Sequence, residues 1–245
     1  MQKDDNCIIL ELLKSFLKDE IANKEIICKN KSDSDKEPLD SWFKCHIYNE
    51  YSLQYELAVY LRNGLNASSK ISEYEIFFEK NISTFIEKSE EKFGKENEKH
   101  KHEVDLIVIR KNEEKTPIEK YAIELKFPIN GQYPEQMKKF IEDMKFMKKI
   151  KDTWDDEQIK NNTFCLTMVN DKNFYELTGK ENNKSNNYDV YQKFRMKDGK
   201  IYKQIDENGI NLKIFWNTLK EFENSDTDDI KCFLIDIGKN EACKI

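Results

Sequence analysis

Glycine and proline are scarce, at 7 and 4 of 245 residues. That excludes collagen-like and Pro/Gly-rich low-complexity chains. No run approaches the ~20 apolar residues of a membrane span. The chain opens on Met1-Gln-Lys-Asp-Asp, without a signal-peptide pattern, so a cytoplasmic setting and no membrane partner are expected. None of the six cysteines (Cys7, Cys28, Cys45, Cys165, Cys232, Cys243) stands in CxxC spacing or in a zinc-like grouping with histidine. Free thiols in a reducing compartment are the expectation. Positive charge is not in excess either: 41 Lys and Arg face 47 Asp and Glu, a net charge of −6. Proteins that grip phosphate backbones nonspecifically are usually basic. Any nucleic-acid binding must therefore run through a local basic surface or a bound metal.

What is present suits a folded enzyme-sized unit. Hydrophobic residues are 38% and charged residues 36%, and the length fits one large domain or two small ones, of which one α/β domain with a helical N-terminal extension is the simpler account. Residues 6–20 place Ile8, Ile9, Leu12, Leu13, Phe16 and Leu17 at helical spacing. A polar loop is expected at 29–38. A second helix is expected over 39–64, broken near Asn49 and ended by Gly64. Strands are expected at 73–82, 104–110, 119–127, 163–169 and 231–238, and a helix at 134–150. The nearly all-charged segment 86–103 reads as a solvated connection. It contains His100 and His102, whose i, i+2 spacing is not counted as a metal site. Residues 190–205 suggest a hairpin turning at Asp198-Gly199, and "NLKIFW" at 211–216 is ambiguous between strand and helix.

Two strands carry the chemistry. In "VDLIVIR", residues 104–110, both faces are apolar, which marks a central strand covered on both sides. Asp105 is its one acid. In "YAIELKFP", residues 121–128, alternation puts Ala122, Glu124 and Lys126 on one face. Unpaired charges cost several kcal/mol to bury, so Glu124 and Lys126 need solvent or a polar site. A short loop between the strands makes them an antiparallel pair. Asp105, at the start of one, then meets Glu124 and Lys126 near the end of the next. Two converging carboxylates repel unless a cation intervenes, and Mg²⁺ takes carboxylate, water and phosphate oxygens. A nearby lysine can orient a water or stabilise charge on a phosphate.

Asp105 followed by Glu124-Leu125-Lys126 on the next strand resembles the signature of the PD-(D/E)XK nuclease superfamily, in order, spacing and apolar context. The resemblance covers roughly residues 50–170. Val104 stands where a proline, variable in that superfamily, often precedes the Asp. The resemblance implies a restriction-endonuclease-like, three-layer α/β/α core with a mixed β-sheet. Residues 1–38 would form a helical N-terminal extension and 39–245 a single nuclease-like domain, its C-terminal elaboration at 171–245. It implies Mg²⁺-dependent phosphodiester hydrolysis, Mn²⁺ substituting, with DNA as partner. Asp105 and Glu124 would be metal ligands and Lys126 would orient or activate water.

An acid from the preceding helix is also implied. Glu56, at the edge of the apolar stripe, matches, and Glu50 competes with it. Gln136 fits a Gln found on the following helix in some such nucleases. Lys138, Lys139, Lys145, Lys148, Lys149 and Lys151 outnumber Glu135, Glu142 and Asp143 on that helix. Lys138 and Lys139 are therefore candidates for phosphate contact, against the plainer reading of a solvated lysine face. An acidic nuclease could need a homodimer to hold DNA. Two other classes stay open: a nucleic-acid-binding module without turnover, and an interaction module in which these charges form an internal ion-pair network.

Overall fold

The computed structural model describes residues 7–22, 47–68, 73–86, 91, 93, 103–128, 133–154, 159–175, 203–207, 210–221 and 229–245. It is a mixed α/β protein built on a seven-stranded mixed sheet with helices packed on it and a helix at the N-terminus.

Helix α1 (Ile8–Ser15) continues as a π-helical segment, Phe16–Ala22. Helix α2 (Glu50–Ser68) begins at a reciprocal cap. Asn49 Oδ1 accepts the Ser52 N–H at 2.8 Å, and Ser52 Oγ accepts the Asn49 N–H at 3.0 Å. The helix starts at Glu50, and residues 39–46, where the expected helix would begin, lie outside the described set. Gly64 does not end the helix, which runs on to Ser68. It serves packing instead: a Cβ there would overlap the Leu12 side chain of α1.

Strands β1 (Glu73–Asn81), β2 (Glu103–Lys111) and β3 (Pro117–Lys126) form an antiparallel meander. The β2–β3 turn is closed by Lys115 N–H donating to Asn112 O at 3.0 Å, with Lys115 at φ 63° and the pairing shifting at Arg110/Lys111. Helix α3 (Tyr133–Thr153) then crosses to β4 (Lys160–Val169), which runs parallel to β3. A hairpin of β5 (Lys203–Glu207) and β6 (Ile210–Ile214) forms a second, two-stranded sheet. Antiparallel to β4 runs β8 (Ile230–Asp236). Its far edge is shared by β7 (Asn217–Lys220) and β9 (Glu241–Cys243). The main order is thus β1-β2-β3-β4-β8-β7.

Alternation along these strands feeds two cores. Leu106, Val108, Tyr121, Ile123 and Leu125 share one core with Ile9, Leu13 and Phe16 of the N-terminal helix and Leu53, Leu57 and Leu61 of α2. Ile107, Ile109 and Ala122 share the other with Met137, Phe140, Ile141, Met144 and Met147 of α3. The expected apolar stripe of α3 is therefore its packed face. The N-terminal helix belongs to the same core as the sheet. Of the charged connection 86–103, Ile86 and Phe93 are buried, Phe93 stacking edge-on against Phe146 of α3. That part is apolar anchorage rather than solvated chain. His100 and His102 fall outside the described residues, as does the Asp198-Gly199 turn. The C-terminal hairpin that is described pairs β5 with β6, and "NLKIFW" resolves as the end of strand β6 with Phe215 and Trp216 following it.

Candidate active site

Leu106 lies opposite Ile123 in the β2–β3 ladder. One step further, the same register sets Asp105 opposite Glu124. Opposite residues share a face, and Lys126 is two positions along on that face, toward α3. Glu124 is 1% exposed and Asp105 7%. Asp105 Oδ2 accepts the Leu125 N–H at 2.6 Å, just beyond the last ladder pair.

Lys126 Nζ stands among three carboxylates from three elements. It lies 3.3 Å from Glu50 Oε1 of α2, 3.5 Å from Glu124 Oε1 and 3.6 Å from Asp143 Oδ2 of α3. It also donates to Leu125 O at 3.2 Å. Burial by itself would lower the lysine's pKa. The charges of Asp143, Glu124, Glu50 and Asp105 outweigh that and hold the ammonium well above its ordinary value.

Helix α2 buttresses the strand ends from the opposite core. Glu50, in its first turn, places Oε2 3.1 Å from the Phe127 N–H while Oε1 faces Lys126. One turn on, buried Gln54 donates from Nε2 to Asp105 O at 2.6 Å and to Glu79 Oε1 at 2.9 Å. Glu79 falls between the Phe78–Leu106 and Lys80–Val104 pairs of β1–β2, at φ 46°, a conformation that costs a non-glycine residue about 1–2 kcal/mol.

Asp105, Glu124 and Lys126 thus come together as expected. Of the two helix acids, Glu50 touches this cluster, whereas Glu56 forms no hydrogen bond or ion pair with its described members. Gln136 is half-buried on the α3 face of Asp143. It lies one heptad toward the N-terminus, about 10 Å along the axis, and makes no direct bond to the cluster. Lys138 and Lys139 are engaged along their own helix, with Glu142 at 3.5 Å and Glu135 at 3.3 Å. Lys148 does the same with Asp152 at 2.9 Å. These are i, i+4 pairs on a solvated face, each worth a few tenths of a kcal/mol.

The residues missed from sequence are Asp143, Gln54 and Glu79. Asp143 had a signal: it lies three residues after Phe140 and four before Met147, both buried. Among the described residues, no three His, Cys, Asp or Glu side chains stand close enough as arranged to share a metal ion. Asp105 and Glu124 are the two carboxylates at the paired strand ends. Two hard carboxylates suit Mg²⁺, which keeps several waters.

Comparison with family models, with curated proteins and with solved structures finds no match in any of the three. Among the described residues no helix is long and apolar enough to cross a membrane.

Proposed function

We propose that this chain is a metal-dependent nuclease that hydrolyses phosphodiester bonds in DNA. We read its sheet and helices as a three-layer, restriction-endonuclease-like core. The order of α2, the β1–β3 meander, α3 and parallel β4 supports that reading, with α2 and α3 packed in opposite cores. The observation that carries it is the convergence of Asp105, Glu124 and Lys126 at the ends of two adjacent strands.

Asp105 and Glu124 would hold Mg²⁺ or Mn²⁺. When bound, such an ion lowers the pKa of a water and neutralises charge on a phosphate. The remaining work falls to the chain. Lys126, held as an ammonium, orients the attacking water by donating to it and offsets phosphate charge; it does not take a proton. Glu50 and Asp143 fix the direction of that ammonium from α2 and α3. Glu50 rather than Glu56 takes the part of the helix acid. Gln54 holds the Asp105 backbone in place. The i, i+4 pairs of Lys138 and Lys139 are weak enough to yield to a phosphate, and a homodimer would double the number of such groups.

A second reading has its own observation: Lys126 already lies 3.3–3.6 Å from three carboxylates. In that reading the cluster is an internal ion-pair network without turnover. Incubation with supercoiled plasmid, single-stranded and branched DNA separates the two, run with Mg²⁺, Mn²⁺ or EDTA beside Asp105→Ala and Lys126→Ala. Metal-dependent cleavage lost in both variants supports the nuclease. No cleavage of any substrate, with no Mn²⁺ binding by calorimetry, leaves the network.

A further inference from the structure

We infer that the outward flank of α2 is a stacking surface for the bases of single-stranded DNA, and that it leads such a strand into the candidate site. This deepens the nuclease reading and rests on it.

The large apolar side chains exposed among the described residues gather in one place. They are Tyr48, Tyr51, Tyr55 and Val59, on or just before α2, and Phe78 of β1. Tyr51 and Tyr55 are 73% and 61% exposed. Positions 51, 55 and 59 are four apart, so they form one stripe along the helix. Two contacts set the side on which it lies. Tyr60 packs edge-on against Phe16 of the N-terminal helix. Gln54 reaches the other way, to Glu79 of β1. At about 100° per residue, Tyr51 lies about 60° round from Gln54 and Tyr55 about 100°, both turned away from Tyr60. The stripe is thus on the β1 side of α2. Phe78 pairs with Leu106, which packs in the α2 core, so it shares that face of the sheet.

The occupant follows from what the stripe adjoins and what it lacks. It begins beside Glu50, whose carboxylate meets Lys126 and the Phe127 N–H, and Gln54 ties it to Asp105 O. The surface is therefore continuous with the candidate site. In a chain of net charge −6, the exposed positions of α2 up to Asn66 are Tyr51, Tyr55, Val59, Arg62, Asn63 and Asn66. None is an acid, and the single charge, on Arg62, suits a phosphate. An acidic protein holds the backbone of a duplex poorly. Aromatic rings stack on any unpaired base and need no net positive charge to do so. Bases within a duplex are already stacked on one another, so the surface selects single strands. A stable homodimer face is larger and more apolar; here only Val59 and Phe78 lack a polar tip, and each is 37% exposed.

The test is fluorescence anisotropy of a labelled oligothymidylate and of a duplex of equal length, both in EDTA. Wild type is compared with Tyr51→Ala/Tyr55→Ala and Tyr51→Phe/Tyr55→Phe, exposed substitutions that should leave folding intact. Wild type should bind the single strand more tightly than the duplex. The alanine variant should lose about tenfold or more of that affinity, since each stacked base contributes about fivefold or more. The phenylalanine variant, which keeps the rings, should retain it, and duplex binding should be equal in all three. Unchanged single-strand binding by the alanine variant overturns the stacking surface, as does an equal loss in the phenylalanine variant. A wild-type dimer in sedimentation velocity that the alanine variant dissolves, with DNA binding unchanged, also overturns it and assigns the face to a second copy. Cleavage of the same single strand in Mg²⁺ is read separately. Metal-dependent cleavage indifferent to the tyrosines leaves the nuclease standing without this surface. Tyrosine-dependent binding with no cleavage by wild type keeps the surface and overturns the nuclease.

Discussion

Neutralising the lysine and neutralising one of its acids should have very different consequences. Lys126 lies within 3.3–3.6 Å of Glu50, Glu124 and Asp143. Lys126→Met takes the ammonium away from two buried carboxylates, Glu124 and Asp143. Breaking a buried pair in this way costs about 3–5 kcal/mol. Asp143→Asn leaves the lysine with two carboxylates and relieves repulsion among the acids, so stability should change by about 1 kcal/mol or less. In Lys126→Met/Glu124→Gln a large part of the loss should return, with a coupling of about 1–3 kcal/mol. Urea unfolding in EDTA measures all three. The pH dependence has a definite sign. Lys126's pKa is raised in the folded state above the ordinary 10.5. Its contribution is fully present below 10.5 and lost only as pH rises through the higher folded value. The gap between wild type and Lys126→Met from this group should thus be level from pH 7 to 9. Equal costs for Lys126→Met and Asp143→Asn, or a gap that closes between pH 7 and 9, would refute the shared-cation account.

Other expectations follow from particular contacts. Gln54→Leu strips Asp105 O of a buried donor and should destabilise by about 1–3 kcal/mol in thermal or urea unfolding. Glu50→Ala should lower metal-dependent cleavage far more than Glu56→Ala, read as initial rates on one DNA substrate, since only Glu50 meets Lys126 and Phe127 N. Phe140→Ala, which empties a fully packed position against Phe174 and Phe233, should cost about 3–5 kcal/mol by urea titration. Burial holds the Cys243 thiol at about 11 and pushes Cys7 and Cys232 up as well. At pH 8 these three should resist alkylation until the protein unfolds, as peptide mapping by mass spectrometry would reveal.

The central strands were legible because their constraints are local. Alternation in 104–110 and 121–127 sets which side chains share a face, and the short loop sets the antiparallel pairing. Together they bring Asp105, Glu124 and Lys126 to one place. The helix acid was not settled so easily, because a helix position has two coordinates. The apolar stripe of Leu53, Leu57 and Leu61 speaks of rotation about the axis and favoured Glu56. The strand ends meet the first turn of α2, and position along the axis favours Glu50. Asp143 was counted with the surface charges of a lysine-rich helix, although its spacing from Phe140 and Met147 sets it beside the packed face. Gly64 looked like a stop signal because glycine usually ends helices; the close approach of Leu12 is a tertiary fact. In the last third, short strands with mixed polarity left the β5–β6 pairing and the shared edge of β8 unread.

The most direct measurement is nicking of supercoiled plasmid by wild type and by Glu124→Gln, purified identically, in Mg²⁺ and in EDTA, with far-ultraviolet circular dichroism confirming equal folding. The account predicts nicking by wild type in Mg²⁺ alone and none by Glu124→Gln. Nicking that survives EDTA or the substitution would contradict it, as would a wild type that neither cleaves DNA nor binds Mn²⁺.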